Sequence, residues 1–489
     1  MQEILIGGQG DIKIVMNAAM ANRHGMISGA TGTGKTITLQ ILAEAFSRIG
    51  VPVFLADIKG DLSGISVAAK ANDKVADRLK AIGLDDYQSQ GNPTVFWDVF
   101  RKTGHPVRVT ISDMGPLLLS NLLSLNETQS GVLYSCFKIA DDNGLLLLDL
   151  KDLRAMLSWM GEDAKTLQAD YGNISAASLG AIQRQLLVLE EQGADQFFGE
   201  PALQLEDLCK TDFSGHGVIN ILDATDLTLK SPRLYATFLL WLLSELFETL
   251  PEVGDADRPK LVLFFDEAHL LFAQAPKVLL EKIEQIVRLI RSKGVGVYFI
   301  SQSPVDIPES ILGQLGLKIQ HALRAFTPKD QQVIKSVAGN FRSNPKIDTV
   351  SALPELKTGE ALVSVLNHDG SPLPVERIFI RPPGSQIGPI AEAERREAVG
   401  RSPYYGRYEQ VVDRDSAYEM LKQKTERQLQ IESDLQEIKT SAKKTASRSG
   451  SSRQTVTEAL LSSAARSIGS AVGRQIVRGV LGSLLGGRK

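Results

Sequence analysis

Short apolar runs, each stopped by a polar or charged side chain, alternate along this chain with stretches whose hydrophobic positions recur every three or four residues. Gly25-Met26-Ile27-Ser28, Val51 to Asp57, Val218 to Asp223, Lys260 to Glu267 and Val295 to Ile300 read as buried strands, and Leu317 to Arg324 and Glu360 to Leu366 as later ones. A helix is expected from about Lys35, with Leu39, Leu42, Ala43 and Phe46 on its apolar side. Two more are expected over Pro232 to Leu250 and Ala275 to Lys293. The order strand, glycine-rich loop, helix, strand predicts an α/β fold with a parallel-dominated sheet flanked by helices.

The pattern divides the chain. Residues 1–24 form a short β-rich lead-in, and 25–110 with 216–385 carry the α/β core. Between them, 111–215 is expected to be a mostly helical insertion, with Leu117, Leu118, Asn121, Leu122 and Leu125 at helical spacing. After Pro382-Pro383-Gly384 the character changes: 386–440 is charged and helix-forming, and 441–489 is a basic linker followed by an amphipathic helix.

Composition adds limits. With 489 residues, 43% hydrophobic and 23% charged, there is ample material for a large core. The net charge of −3 gives no global case for nucleic-acid binding, so any such contact must be local. From Ser441 onward nine Lys or Arg face one Glu, a tail of +8 that leaves −11 on the rest. Cys136 and Cys209 fit no metal or disulfide pattern and read as two buried thiols. No leader is visible at the start, and the most apolar stretches, such as Phe238 to Leu243, are cut by charge, so a cytoplasmic location is expected.

The chemistry concentrates in three places. Gly29-Ala30-Thr31-Gly32-Thr33-Gly34-Lys35-Thr36 fits the phosphate-loop pattern without a mismatch, after an apolar strand and at the start of a helix. Its backbone N–H groups would cradle the phosphates of ATP, Lys35 would reach the β- and γ-phosphates, and the Thr36 hydroxyl would ligate Mg2+. Asp266 ends an apolar strand, where it can hold the same metal, and Glu267 beside it is placed to deprotonate an attacking water. The neighbouring Asp266-Glu267-Ala268-His269 spells the box of one helicase group, whose other motifs are absent. Gln302, after the strand 295–300, can contact the γ-phosphate or the water, or simply cap its loop. Arg288, Arg291 and Arg324 stand near strand ends, where single arginines are more often solvated than catalytic.

Asn22-Arg23-His24-Gly25 running into the loop, Asp57-Ile58-Lys59-Gly60-Asp61, Phe265-Asp266-Glu267-Ala268-His269, and Gly294-Val295-Gly296 leading to Ser301-Gln302-Ser303-Pro304 together resemble the HerA-like branch of the HerA/FtsK ATPases, and within it the bacterial YjgR-type proteins. The resemblance spans roughly residues 1–380. It implies a RecA-like additional-strand P-loop core and a homo-oligomeric ring, usually hexameric, with ATP at the subunit interfaces. On the same ground Gln302 would be the sensor, Arg291 and Arg324 the interface arginines, and double-stranded DNA the substrate of a helicase- or translocase-like motor. HerA proper carries an N-terminal β-barrel that docks a nuclease; only 24 residues precede the loop strand here, so a nuclease partner is not carried over. The alternative from another class is an ATP-driven switch or scaffold acting on protein or membrane partners.

In the tail, Leu460, Leu461, Ile468, Val472, Ile476, Val480 and Leu484 would share a face of a helix flanked by Arg466, Arg474 and Arg478. Such a helix suits a membrane surface, nucleic acid or its own ring, and its many small residues favour close packing.

Overall fold

A computed structural model describes residues 2–254, 256–273 and 275–446. The tail helix expected over 454–487 lies outside them. Among the described residues one sheet is built from β1 (Glu3–Gln9), β2 (Ile12–Asn17), β3 (Gly25–Ser28), β4 (Val53–Asp57), β5 (Thr94–Asp98), β6 (His105–Pro106), β7 (Ile219–Asp223), β8 (Leu261–Phe265), β9 (Val295–Ser301), β10 (Leu317–Gln320), β11 (Glu360–Ser364) and β12 (Glu376–Ile380). Their order is β2-β1-β12-β11-β10-β3-β9-β8-β4-β7-β5-β6. From β10 to β6 every pairing is parallel, and from β10 outward through β11, β12, β1 and β2 every pairing is antiparallel. The lead-in hairpin thus extends the main sheet through β12.

The central strands are buried on both faces, which is why their sequences are continuous apolar runs and not alternations. The helix Lys35–Arg48 covers one face, burying Leu39, Leu42, Ala43 and Phe46 as the periodicity predicts. Phe46 meets Tyr298 edge-on at 5.8 Å, and Tyr298 packs on Phe264 at 5.1 Å. The helix Pro232–Thr249 covers the other face, where Phe238 lies against Phe54 of β4 at 6.4 Å and stacks on Trp241 at 5.7 Å.

Between β6 and β7 the chain is helical, with Ile111–Leu122, Glu127–Asn143, Leu150–Glu162, Ala164–Tyr171 and Ala176–Glu191. Gly115, at φ +70°, breaks the first of these just before Pro116.

The described chain divides into two compact units, the first holding residues 2–133, 148–150 and 177–413 and the second 134–147, 151–176 and 414–446. The second is mostly helical. Within it the Asp152 carboxylate accepts from Ser416 Oγ at 2.5 Å and Tyr418 N at 2.9 Å, and the Lys424 ammonium lies 4.6 Å from the Trp159 ring. Cys136 is buried as expected, while Cys209 is only half-buried.

In the first unit the segment after β12 returns across the sheet as a strap. Glu44, fully buried on the Lys35–Arg48 helix, accepts from Gly384 N, Ser385 N and Ser385 Oγ, and faces Arg381 at 3.8 Å and Arg48 at 3.7 Å. Further on, Arg395 pairs with Asp223 at the end of β7 at 3.0 Å, and Tyr404 and Tyr408 close over Trp97 of β5.

Candidate functional site

Four neighbouring parallel strands, β3, β9, β8 and β4, deliver their C-terminal ends to one edge of the sheet. The loop Gly29–Thr36 follows β3, Gln302 follows β9, Asp266 and Glu267 follow β8, and Asp57 closes β4. Residues far apart in sequence therefore meet because of strand order.

The loop is held from behind. Ala30 N donates to Ala322 O at 2.8 Å, Gly359 N to Thr33 O at 2.8 Å, and Thr33 Oγ1 to Ala30 O at 2.7 Å. Gly29 has φ +146°, and a Cβ there would stand 2.5 Å from the Cβ of His321. Gly34, at φ +120°, has room for a Cβ only 3.2 Å from the backbone of Gly359. Only glycine fits at either place.

His321 is the buried backing of the loop. Its Nδ1 donates to Glu360 O at 3.1 Å, which leaves Nε2 to accept from the Thr38 hydroxyl at 2.8 Å. Burial, with the Lys35 charge adding to it, lowers its pKa to about 4, so the ring is neutral. Lys35 folds back on the loop, donating from Nζ to Gly29 O at 2.5 Å and Ala30 O at 3.1 Å. Burial and the nearby Lys59 lower its pKa, against the pull of Glu267 and Asp266. Thr36 is half-buried in the first turn of the same helix.

Asp266 is buried; its Oδ1 accepts from Glu267 N at 2.9 Å, and its carbonyl accepts from the Tyr235 hydroxyl at 3.0 Å. Burial pushes its carboxyl up to about 6, Glu267 adds to the rise, and Lys59 opposes it. Glu267 adopts φ +46°, a left-handed conformation that non-glycine residues rarely hold. Its Oε1 lies 3.9 Å from Lys59 Nζ, and its buried Oε2 has no hydrogen-bond partner, with His269 Nδ1 3.3 Å away. Lys59 reaches this point because Asp57 accepts from Gly60 N, Asp61 N and Leu62 N at 2.7, 3.2 and 2.9 Å, turning the loop after β4 back on itself.

Gln302 is exposed and shares a groove with His269 and Asp306. The two arginines part company. Arg324 lies beyond the C-terminal end of β10, with its guanidinium on Pro354 O and, at 3.5 Å, Leu356 O. Arg291 precedes β9, at the opposite edge of the sheet, and is exposed. Thus Lys35, Asp266 and Glu267 are brought together, while Arg291 is not part of this chain's own cluster. Lys59, Tyr235 and His321 are the members that motif reading missed. Lys59 carried a signal, since Asp57-Ile58-Lys59 ends an apolar run in the manner of Asp266-Glu267.

The family model described as helicase HerA-like C-terminal matches residues 2–489. Curated relatives include the DNA double-strand break repair helicase HerA of Sulfolobus acidocaldarius, 21% identical over 380 residues, covering 73% of this chain and 65% of the relative. The protein of the same name from Saccharolobus solfataricus is 23% identical over 368 residues, covering 73% of this chain and 64% of the relative. The match therefore spans just under two thirds of those proteins' length. Among solved structures, the bacterial conjugative coupling protein TrwB lacking its N-terminal segment aligns with a TM-score of 0.49 and 14% identity, over 78% of this chain and 91% of that one. VirB4 of Thermoanaerobacter pseudethanolicus aligns with a TM-score of 0.49 and 16% identity, over 78% of this chain and 95% of that one.

Proposed function

Because this chain belongs to the helicase HerA-like C-terminal family, we propose that it is a magnesium-dependent ATP hydrolase working as an oligomeric ring motor on double-stranded DNA. The observation that carries the reading is the meeting of Lys35, Asp266 and Glu267 at one sheet edge, with the Glu267 Oε2 buried and unbonded. A buried carboxylate oxygen without a donor is costly unless another molecule supplies one. A water beside a triphosphate is such a donor.

Each residue then has a role. The loop N–H groups bind the phosphates, and Lys35 exchanges its loop carbonyls for the β- and γ-oxygens. Glu267 orients the water through Oε2 and takes its proton, while Lys59 faces the other carboxylate oxygen, Oε1. Gln302 senses the γ-phosphate from the next strand, and Arg291 or Arg324 completes the site from a neighbouring copy. Magnesium fits a shared site, not a cage of its own: among the described residues no three His, Cys, Asp or Glu cluster to hold a metal. Asp266 and the Thr36 hydroxyl would hold it together with phosphate oxygens and water, and when bound it would neutralise charge developing on the phosphates. Among the described residues no helix is long and apolar enough to cross a membrane; a cytoplasmic location is part of the proposal.

The test is the ATPase rate with and without double-stranded DNA at two salt concentrations. Salt-sensitive stimulation is expected. No response to DNA at either salt would rule out the motor and leave an ATP-driven switch on protein or membrane partners. Glu267→Gln should keep nucleotide affinity and lose at least about 100-fold in turnover, whereas Lys35→Ala should lose affinity itself.

A further inference from the structure

At the edge of the sheet opposite the loop lies a concavity of about 420 Å³. Five cations from four segments of the chain line it: Arg23 from the turn before β3, Arg288 and Arg291 from the helix Lys277–Leu289 and the turn that continues it, Lys318 of β10, and Arg342. No carboxylate is among its lining residues. The whole chain holds 57 acidic against 54 basic side chains, so a five-to-none lining is not what a solvated face of this protein would offer.

The anions around the rim offset only part of this charge. Glu284 pairs with Arg288 at 2.8 Å, and Asp369, which accepts from Ser371 N and Oγ, is close enough to Arg342 for the two charges to attract. Lys318 Nζ donates to Asn340 O at 3.0 Å and Arg342 to Pro372 O at 2.9 Å, so backbone carbonyls position these cations without cancelling their charge. Lys318 is half-buried, and burial lowers its pKa. Like charges gathered in one hollow raise one another's free energy, and a multivalent anion relieves all of them together. Arginine forks suit the oxygens of a phosphate ester in particular.

We propose that this basin is a second phosphate site, taking a run of phosphate esters, at the far end of β3 from the nucleotide loop. Arg23 and His24 precede β3 and Gly29 follows it, so about 13 Å of one strand separates the two sites. His24 anchors that end: its Nε2 donates to Val287 O at 2.7 Å and its Nδ1 accepts from Val297 N at 3.0 Å. Two sources present the required chemistry, a nucleic-acid backbone and the triphosphate held by a second copy of this chain. The site does not depend on the hydrolysis reading, because it asks only for phosphate binding.

The experiment uses the full chain carrying Lys35→Ala, which removes the loop's own affinity, with inorganic tripolyphosphate as probe in calorimetry. Binding is expected, and adding Arg23→Gln, Lys318→Gln and Arg342→Gln should weaken it at least about tenfold. The single variants Arg23→Gln and Arg342→Gln, checked for an unchanged thermal midpoint, should each lose part of it. No binding to Lys35→Ala, or binding that none of these substitutions weakens, overturns the proposal. Displacement of the probe by a DNA duplex assigns the backbone as the source. In that case the log–log salt slope should fall by about one for each cation removed. Displacement by Arg23→Gln/Arg342→Gln copies loaded with a non-hydrolysable ATP analogue assigns the neighbouring nucleotide. Displacement by neither leaves an adventitious ion only, and the proposal fails. An inactive wild type would sink the ATPase reading while leaving this outcome intact.

Discussion

Asp266 and His321 illustrate how burial sets charge at this edge. A carboxyl pushed up to about 6 by burial must lose its proton before it can hold a metal. The Mg2+-dependent part of nucleotide affinity should therefore be level above pH 6 and weaken about tenfold per pH unit below it. Titrations with and without Mg2+ across that range check this; an unchanged difference would remove Asp266 from the metal. Stability follows the same groups with opposite signs. His24 and His321, lowered to about 4 by burial, contribute stability that is whole above 6.5 and lost as pH falls toward 4. Asp57 and Asp266, raised to about 6, bind protons more readily when folded, so their effect between 3.8 and 6 runs the other way. The four nearly cancel between pH 4 and 6. Asp57→Asn removes one opposing group, and its urea stability should then rise by about 1.4 kcal/mol per pH unit more steeply than the wild type over that interval. At this scale the sequence made Lys35, Thr36, Asp266 and Glu267 legible, because their chemistry requires fixed neighbours along the chain. His321 and Tyr235 were not legible, because what places them beside the loop and Asp266 is strand order, which no local spacing encodes.

Among elements, the strap past β12 rests on one fully buried carboxylate. Removing Glu44 strands the mostly buried Arg381 and three donors of residues 384 and 385. Glu44→Ala should cost about 3–5 kcal/mol in urea unfolding, and a second change, Arg381→Met, should return part of it. Additive losses in the double variant would show that the two residues do not act together. The buried parallel strands were legible as unbroken apolar runs, from Gly25–Ser28 to Val295–Ser301. β5, β6 and β12 were not. β6 is two residues long, β12 is half-covered, and the three apolar residues of β5, Val95 to Trp97, are too few to separate a strand from a loop. Gly115 had the same effect on a helix, since a left-handed residue before Pro116 is invisible to periodicity.

For the molecule as a whole, the nucleotide loop and Arg291 occupy opposite edges of the same sheet. A repeating head-to-tail contact, the kind that closes rings, needs complementary features on different sides of one chain. Mixing Arg291→Ala chains into the wild type should then depress ATPase activity below the simple average, because each altered chain disables its neighbour. Arg324 stands on the same edge as the loop and already contacts Pro354 O and Leu356 O, so Arg324→Ala mixtures are expected to stay closer to additive. The reverse ranking would exchange their roles.

Glu267 holds φ +46° where glycine or asparagine would rest without strain. Relief of that strain is worth about 1 kcal/mol, so selection for heat resistance and selection for turnover pull this position in opposite directions. A library randomised at 267 and sorted on thermal survival alone should enrich Gly and Asn. The survivors should still grip ATP, and the hardiest protein in the collection should be the one that no longer turns it over.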